Sequence, residues 1–253
     1  MITALIERLL QGHRTQPFPP APDALPDRLR GMPSIASNPS AEDCHRCIAS
    51  CPMQAISLDG NEEMAIDLGR CLFCGACEEA APGSVIRFSN DYRLASGARD
   101  NMIVTSRRKA ILAEALKHES LRLFGRSLKL RQVSAGGCNA CEADTNVLNT
   151  LAFDLGRFGI QFVASPRHAD GLLVTGPVTE NMRVALLKTW EAIPSPRLVI
   201  AVGACAISGG PFAGHPEVHN GIAHIVPVDL FVPGCPPNPW TILDGLLRLM
   251  GRV

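Results

Sequence analysis

The ten cysteines of this 253-residue chain fall into three groups: Cys44, Cys47 and Cys51; Cys71, Cys74 and Cys77; and Cys138 with Cys141, joined far downstream by Cys205 and Cys235. A spacing of three residues puts several sulfurs on one side of a tight loop, which wraps a metal centre; disulfide frameworks belong to small oxidised domains. Two metals compete. Zinc takes one CxxC pair plus another pair, while iron–sulfur clusters take three close cysteines plus a distant fourth, often followed by proline. Cys71-Leu-Phe-Cys74-Gly-Ala-Cys77 and Cys51-Pro52 follow the second rule. The spacing therefore predicts iron–sulfur chemistry, with zinc as the alternative.

In two-cluster ferredoxins each run reads CxxCxxCxxxCP, and its fourth cysteine ligates the other run's cluster. Set in register on Cys51-Pro52 and Ala81-Pro82, the two runs become Ala41, Cys44, Cys47, Cys51 and Cys71, Cys74, Cys77, Ala81. Both missing thiols belong to the same cluster. The expectation is a single 4Fe-4S cluster in this region, held by Cys51, Cys71, Cys74 and Cys77. Cys44 and Cys47 are then inert buried thiols, or part of an unusual site completed by Glu42, Asp43 or His45. A second 4Fe-4S cluster is expected on Cys138, Cys141, Cys205 and Cys235, whose loops are rich in glycine and proline, so that backbone amides can approach cluster sulfides. Two clusters are the cofactors the sequence predicts. Glu142, directly after Cys141, reads either as a helix cap paired with Asn139 or as a carboxylate that carries protons beside a redox centre. Arg167 and His168 read as local hydrogen-bonding residues or as a partner contact.

The elements that must position these thiols follow from periodicity. Met1–Leu10 reads as a short amphipathic helix, and Pro17–Pro33, with its six prolines, as an extended tether. Two similar units follow, each a cysteine run and then a short apolar strand, 55–58 and 85–88. Ser106–Gly125 reads as a helical linker. Beyond it, strands at 128–133, 160–164, 172–175, 198–202 and 226–232 alternate with helices. One helix carries Val147, Leu148, Leu151, Ala152, Leu155 and Phe158; another carries Met182 to Ile193; the last spans 240–250. That alternation predicts an α/β fold with a doubly wound, flavodoxin-like parallel sheet, preceded by a small α+β ferredoxin-like domain. In such sheets ligands sit beyond the carboxyl ends of the strands, where Cys138, Cys205 and Cys235 fall. The expected organisation is a helix and tether over 1–32, a ferredoxin-like domain over 33–100, a basic helical linker over 101–126 and the second cluster domain over 127–253.

Composition bounds the rest. With 46% hydrophobic and 19% charged residues the chain should fold, and with 24 basic and 24 acidic residues it lacks the positive field of a nucleic-acid binder. Charge is uneven locally: eight acids face two bases over 42–81, and eight bases face two acids over 101–131. Solvated faces, or docking to an anionic partner or lipid headgroups, are the readings. No apolar run approaches a membrane span, and the first ten residues lack a secretion leader, so the reading is cytoplasmic.

The stretches Gly137-Cys138-Asn139-Ala140-Cys141-Glu142, Ser165–Asp170, Val202-Gly203-Ala204-Cys205 and Ile225–Pro237 resemble the small electron-transfer subunit shared by [NiFe] hydrogenases and the 20 kDa subunit of complex I. The CxxCE form resembles the hydrogenase branch, that of formate hydrogenlyase and other membrane-bound hydrogenases. Residues 1 to about 106, including Leu68–Gly75, resemble the polyferredoxin subunit of the same complex, so the chain looks like a fusion of the two. The resemblance implies that the Cys138 site is the cluster proximal to a catalytic large subunit, hydrogenase-like or 49 kDa-like, which would hold any nickel–iron centre. It implies other partners in a membrane-bound complex, peripheral attachment on the inner face of the cell membrane through them, and a proton-path role for Glu142. The alternative is a quinone-reducing complex without hydrogenase activity.

Overall fold

The computed structural model describes residues 2–12, 14–58, 63–83 and 85–253. Helix α1 (Ile2–Gln11) comes first, and no residue of it is buried. The expected helix began at Met1, which lies outside the described residues.

The cysteine-rich region is built from two back-to-back units. β1 (Pro33–Ile35), α2 (Ala41–Ser50) and β2 (Ile56–Leu58) form one; β3 (Met64–Asp67), α3 (Ala76–Ala80) and β4 (Ile86–Phe88) form the other. β1 pairs antiparallel with β4 and β2 with β3, so each unit closes the other's sheet. Ser40 starts α2 by accepting the Asp43 N–H at 3.1 Å, with Glu42 and Asp43 favourably placed in the first turn. The internal repeat read from the sequence is this pseudo-symmetry. A further strand, β5 (Ile103–Thr105), extends the β2–β3 sheet and was not anticipated.

Two connecting segments differ from expectation. The proline-rich stretch packs instead of tethering: Phe18 lies against Phe158 and Trp240, with centroids at 5.9 and 6.2 Å, and the Gln16 N–H donates to Ala152 O at 2.8 Å. Its few apolar residues find a ready surface, and proline supplies the extended backbone with a smaller entropy loss than other residues. The helical linker shrinks to α4 (His118–Phe124). Residues upstream spend their amides on distant partners, Ala113 on Ala95 O and Leu116 on Leu249 O, and the Ser106 hydroxyl donates to Glu63 instead of capping a helix. Tertiary hydrogen bonds outweigh the modest helix propensity of 106–117.

The main sheet comprises β6 (Leu128–Ser134), β7 (Ile160–Phe162), β8 (Gly171–Thr175), β9 (Leu198–Val202) and β10 (Leu230–Val232). All are parallel, in the order β7-β6-β8-β9-β10. This is the doubly wound, flavodoxin-like order 2-1-3-4-5. Every residue of β8 and β9 is buried, as continuous apolar strands covered on both faces must be. The helices are α5 (Ala140–Val147), α6 (Glu180–Glu191), α7 (Ala204–Ser208) and α8 (Pro239–Leu249). α8 is buried nearly all round and is started by Asn238, which accepts the Trp240 N–H at 2.9 Å. The helix expected to run through Leu151 and Phe158 instead begins at Ala140 and ends at Val147, leaving Leu151 exposed. The strand expected from Val226 begins only at Leu230.

Candidate iron–sulfur sites

Cys51, at the end of α2, meets Cys71, Cys74 and Cys77 from the loop and helix after β3, and the four line one cavity. The loop is fixed from below. Asp67 ends β3 and holds a bidentate pair with Arg99 at 2.5 and 2.7 Å, and its carboxylate also accepts the Gly69 N–H at 2.9 Å. Backbone amides then face the sulfurs: Ala55 N–H donates to Cys51 Sγ and Phe73 N–H to Cys71 Sγ, both at 3.3 Å. Amide-to-sulfur hydrogen bonds of this kind favour a thiolate and tune a cluster's potential. Burial, with the neighbouring thiols, pushes Cys71 up to about 12 and Cys77 up to about 11. Without a cation such thiols hold their protons, and iron binding displaces them.

Cys44 and Cys47 do not line that cavity; they are buried in one core cluster with Cys77 and Ala81. Cys47 Sγ donates to Cys77 O at 3.3 Å. Asp43 pairs with Arg46, while Glu42 and His45 are exposed.

The second group gathers at the carboxyl edge of the main sheet. Cys138 follows β6, Cys205 follows β9, Cys235 follows β10, and Cys141 lies in the first turn of α5; all four line one cavity of about 300 Å³ empty volume. Asn139, at φ 72°, turns the chain so that the CxxC pair wraps one space. Gly203 adopts φ +92°, and a Cβ there would stand 2.5 Å from Cys141 Sγ; one at Gly210 would stand 2.7 Å from Cys205 Sγ. The cradle admits sulfur only because side chains are missing. Burial and the neighbouring thiols raise Cys141 strongly and push Cys205 up to about 11; burial, then Cys138 and Cys74, raises Cys235. Leu72 and Phe73 of the first cysteine loop line one further cavity with Gly234 and Cys235 of the second, so the two sites are neighbours.

Glu142 is buried, and its Oε1 accepts from the hydroxyls of Ser134 at 2.5 Å and Thr175 at 2.6 Å. Asn139 makes no capping hydrogen bond, so the carboxylate ties α5 to the ends of β6 and β8 instead of capping. It lines both the cysteine cavity and an outer groove with Arg131, Gln132 and Asn146. Ser134 and Thr175 were missed by sequence reasoning, although hydroxyl residues at the carboxyl ends of apolar strands were a usable signal. Arg167 and His168 are exposed.

A doubly wound sheet with four thiols on its carboxyl edge, behind a cysteine-rich α+β unit, defines an iron–sulfur electron-transfer protein of the oxidoreductase class. Residues 138–249 match the family model of the NADH ubiquinone oxidoreductase 20 kDa subunit, and residues 42–85 match that of the 4Fe-4S dicluster domain. The chain belongs to the 20 kDa subunit family. It is 44% identical over 137 residues to formate hydrogenlyase subunit 7 of Escherichia coli, a match covering 54% of each chain. It is also 44% identical to the probable membrane-bound hydrogenase subunit mbhJ of Pyrococcus furiosus, covering 52% of this chain and 79% of that one. With a subunit of the NADH-quinone oxidoreductase of Heliobacterium modesticaldum it shares 36% identity, over 63% of this chain and 88% of that one. The chain thus spans about half the length of the first of these relatives and most of the other two.

Proposed function

We propose that the chain is the electron-relay subunit of a membrane-associated, complex I-related assembly of the hydrogenase type, as in formate hydrogenlyase. Cys51, Cys71, Cys74 and Cys77 would hold one 4Fe-4S cluster and Cys138, Cys141, Cys205 and Cys235 the other. The observation that carries this reading is that eight of the ten cysteines line two separate cavities, four to each, and that a third cavity, lined by Leu72, Phe73, Gly234 and Cys235, adjoins both cysteine loops.

When bound, clusters of this type store and release single electrons. The residues do the remainder. The Ala55 and Phe73 amides fix sulfur orientation in the first site, and the glycines at 203 and 210 keep room for sulfur in the second. Ser134 and Thr175 hold the Glu142 carboxylate between the second cavity and the outer groove, a position from which it can pass a proton to or from solvent. A catalytic large subunit would cover Cys138 and Cys235, which are exposed. No described helix is long and apolar enough to cross a membrane, so attachment at the inner face would run through partner subunits.

Anaerobically isolated protein should contain about eight iron atoms and eight acid-labile sulfides per chain, with two cubane signals by electron paramagnetic resonance. Zinc without sulfide, or three cubanes, would overturn the reading. The match to a quinone oxidoreductase subunit supports a second reading, a relay in a quinone-reducing complex without hydrogenase activity. The two diverge at the partner. A co-purifying large subunit with nickel-binding cysteines and hydrogen-dependent dye reduction supports the first, and a partner lacking both supports the second.

A further inference from the structure

Arg30 belongs to the proline-rich segment, well before Cys71–Cys77 in sequence, yet it packs against that cysteine loop. Its position is set by backbone pairing on both sides. Leu29 N–H donates to Pro26 O at 2.9 Å, Gly31 N–H to Ser89 O at 2.7 Å and Met32 N–H to Asp91 O at 2.8 Å, and the chain then enters β1. The guanidinium lies against the Cα of Gly75, between Cys74 and Cys77 in sequence. A Cβ at Gly75 would stand 2.5 Å from Arg30 Nε, 2.6 Å from Cζ and 2.7 Å from Nη2, so three guanidinium atoms crowd one missing side chain. Arg30 also lines the cavity that runs from Leu72 and Phe73 to Gly234 and Cys235, between the two cysteine sites. Its acidic neighbour Glu79 is held loosely: Glu79 Oε1 is 3.9 Å from Nη2, and the Glu79 side chain is 77% exposed against 39% for Arg30.

A fixed positive charge beside a centre that gains an electron stabilises the reduced form by direct Coulomb attraction, and net local charge is one of the levers that sets cluster potentials. Arginine suits this task because it stays charged at every working pH. We propose that Arg30 is a positioning residue for electron transfer: it holds a cation over the Cys74–Cys77 loop and raises the reduction potential of the centre held by Cys51, Cys71, Cys74 and Cys77. This inference rests on that site carrying a cluster. The step is a one-electron reduction of the centre by a low-potential donor, with no bond made or broken and no proton required.

The test is a potentiometric titration of the full chain, reconstituted anaerobically with iron and sulfide and reduced with dithionite, followed by electron paramagnetic resonance. The signal of the first centre is the one lost in Cys71→Ser. Arg30→Gln should shift its midpoint negative, Arg30→Lys should restore most of the shift, and added salt should narrow the gap between wild type and Arg30→Gln, because the side chain is partly exposed. Glu79→Gln, which leaves Arg30 in place, should shift the midpoint in the positive direction, by less. An unchanged midpoint in Arg30→Gln at full iron content overturns the inference, and so do equal shifts in Arg30→Gln and Arg30→Lys. If Arg30→Gln loses iron, Arg30→Met, which keeps the apolar stem and removes the charge, decides: a negative shift at full iron content supports the role and an unchanged midpoint refutes it. A wild-type chain that takes up no cluster at all refutes the relay function itself, a separate result.

Discussion

Cys44 and Cys47 show how much one small residue decides. With Ala81 they are buried in the cluster that also takes in Cys77, and alanine offers no sulfur where the paired cysteine runs would place a fourth. We expect Cys44→Ala and Cys47→Ala to retain full iron and sulfide and Cys51→Ala to lose half of both, measured by colorimetric assay on anaerobic protein. Loss of iron in Cys44→Ala would mean that these thiols hold metal after all. Gly203 makes the same point in reverse. Alanine there meets Cys141 Sγ at 2.5 Å and strains a backbone at φ +92° and ψ 155°, a region open essentially to glycine alone, which by itself costs about 1–3 kcal/mol. Gly203→Ala should abolish the signal of the second centre and leave the first intact, as recorded by electron paramagnetic resonance. The cysteine spacing made the grouping of eight thiols around two cavities legible, including the place of Cys51 beside the second run. The partners of Glu142 were not legible, because Ser134 and Thr175 reach it only through strand order in the sheet.

Among the elements, α8 carries a buried ion pair whose titration runs against the usual carboxylate pattern. Arg248 Nε bonds Asp244 Oδ2 at 2.7 Å, and the Asp244 side chain is only 3% exposed. Burial pushes Asp244 above its ordinary 3.8, and Arg248 only partly offsets this. A raised folded pKa means that the ionised form is penalised above that pKa, and the penalty fades as pH falls through it toward 3.8. Arg248→Met should therefore destabilise the protein by about 3 kcal/mol at neutral pH, an unpaired buried carboxylate being the cause, with the deficit shrinking on acidification. Urea midpoints at pH 7 and pH 5 check this, and an equal deficit at both would rule out the titration. Strands such as β8 and β9 were legible because continuous apolar runs admit few alternatives. The linker was not. Its alternating charge and leucines suit a helix, but Ala113 and Leu116 find backbone partners on Ala95 and Leu249, which no local pattern reveals.

Across the whole molecule the cysteine-rich region and the main sheet share one core. Ile66, Met102 and Ile86 from the first belong to the same buried cluster as Val133, Leu172 and Ile207 from the second. Ser208 Oγ donates to Gly69 O at 2.9 Å, and Ser96 exchanges two backbone hydrogen bonds with Phe231, at 2.8 and 2.9 Å, covering the edge strand β10. Such a seam predicts one cooperative unfolding transition for the reconstituted chain. Near- and far-ultraviolet circular dichroism should give coincident urea curves, and two separated midpoints would contradict it. Removal of residues 1–12 should leave the stability within about 0.5 kcal/mol of the full chain, since α1 buries nothing.

From its sequence alone the chain fixed how the thiols group and which segments alternate as strand and helix, because cysteine spacing and hydrophobic period are local and survive without tertiary context. Only the folded structure decided that the proline-rich segment packs, that Arg30 lies over Gly75, and that Phe73 and Cys235 line one cavity. Those relations depend on contacts between residues far apart in the chain, where no repeat or spacing carries information and packing alone selects the neighbour.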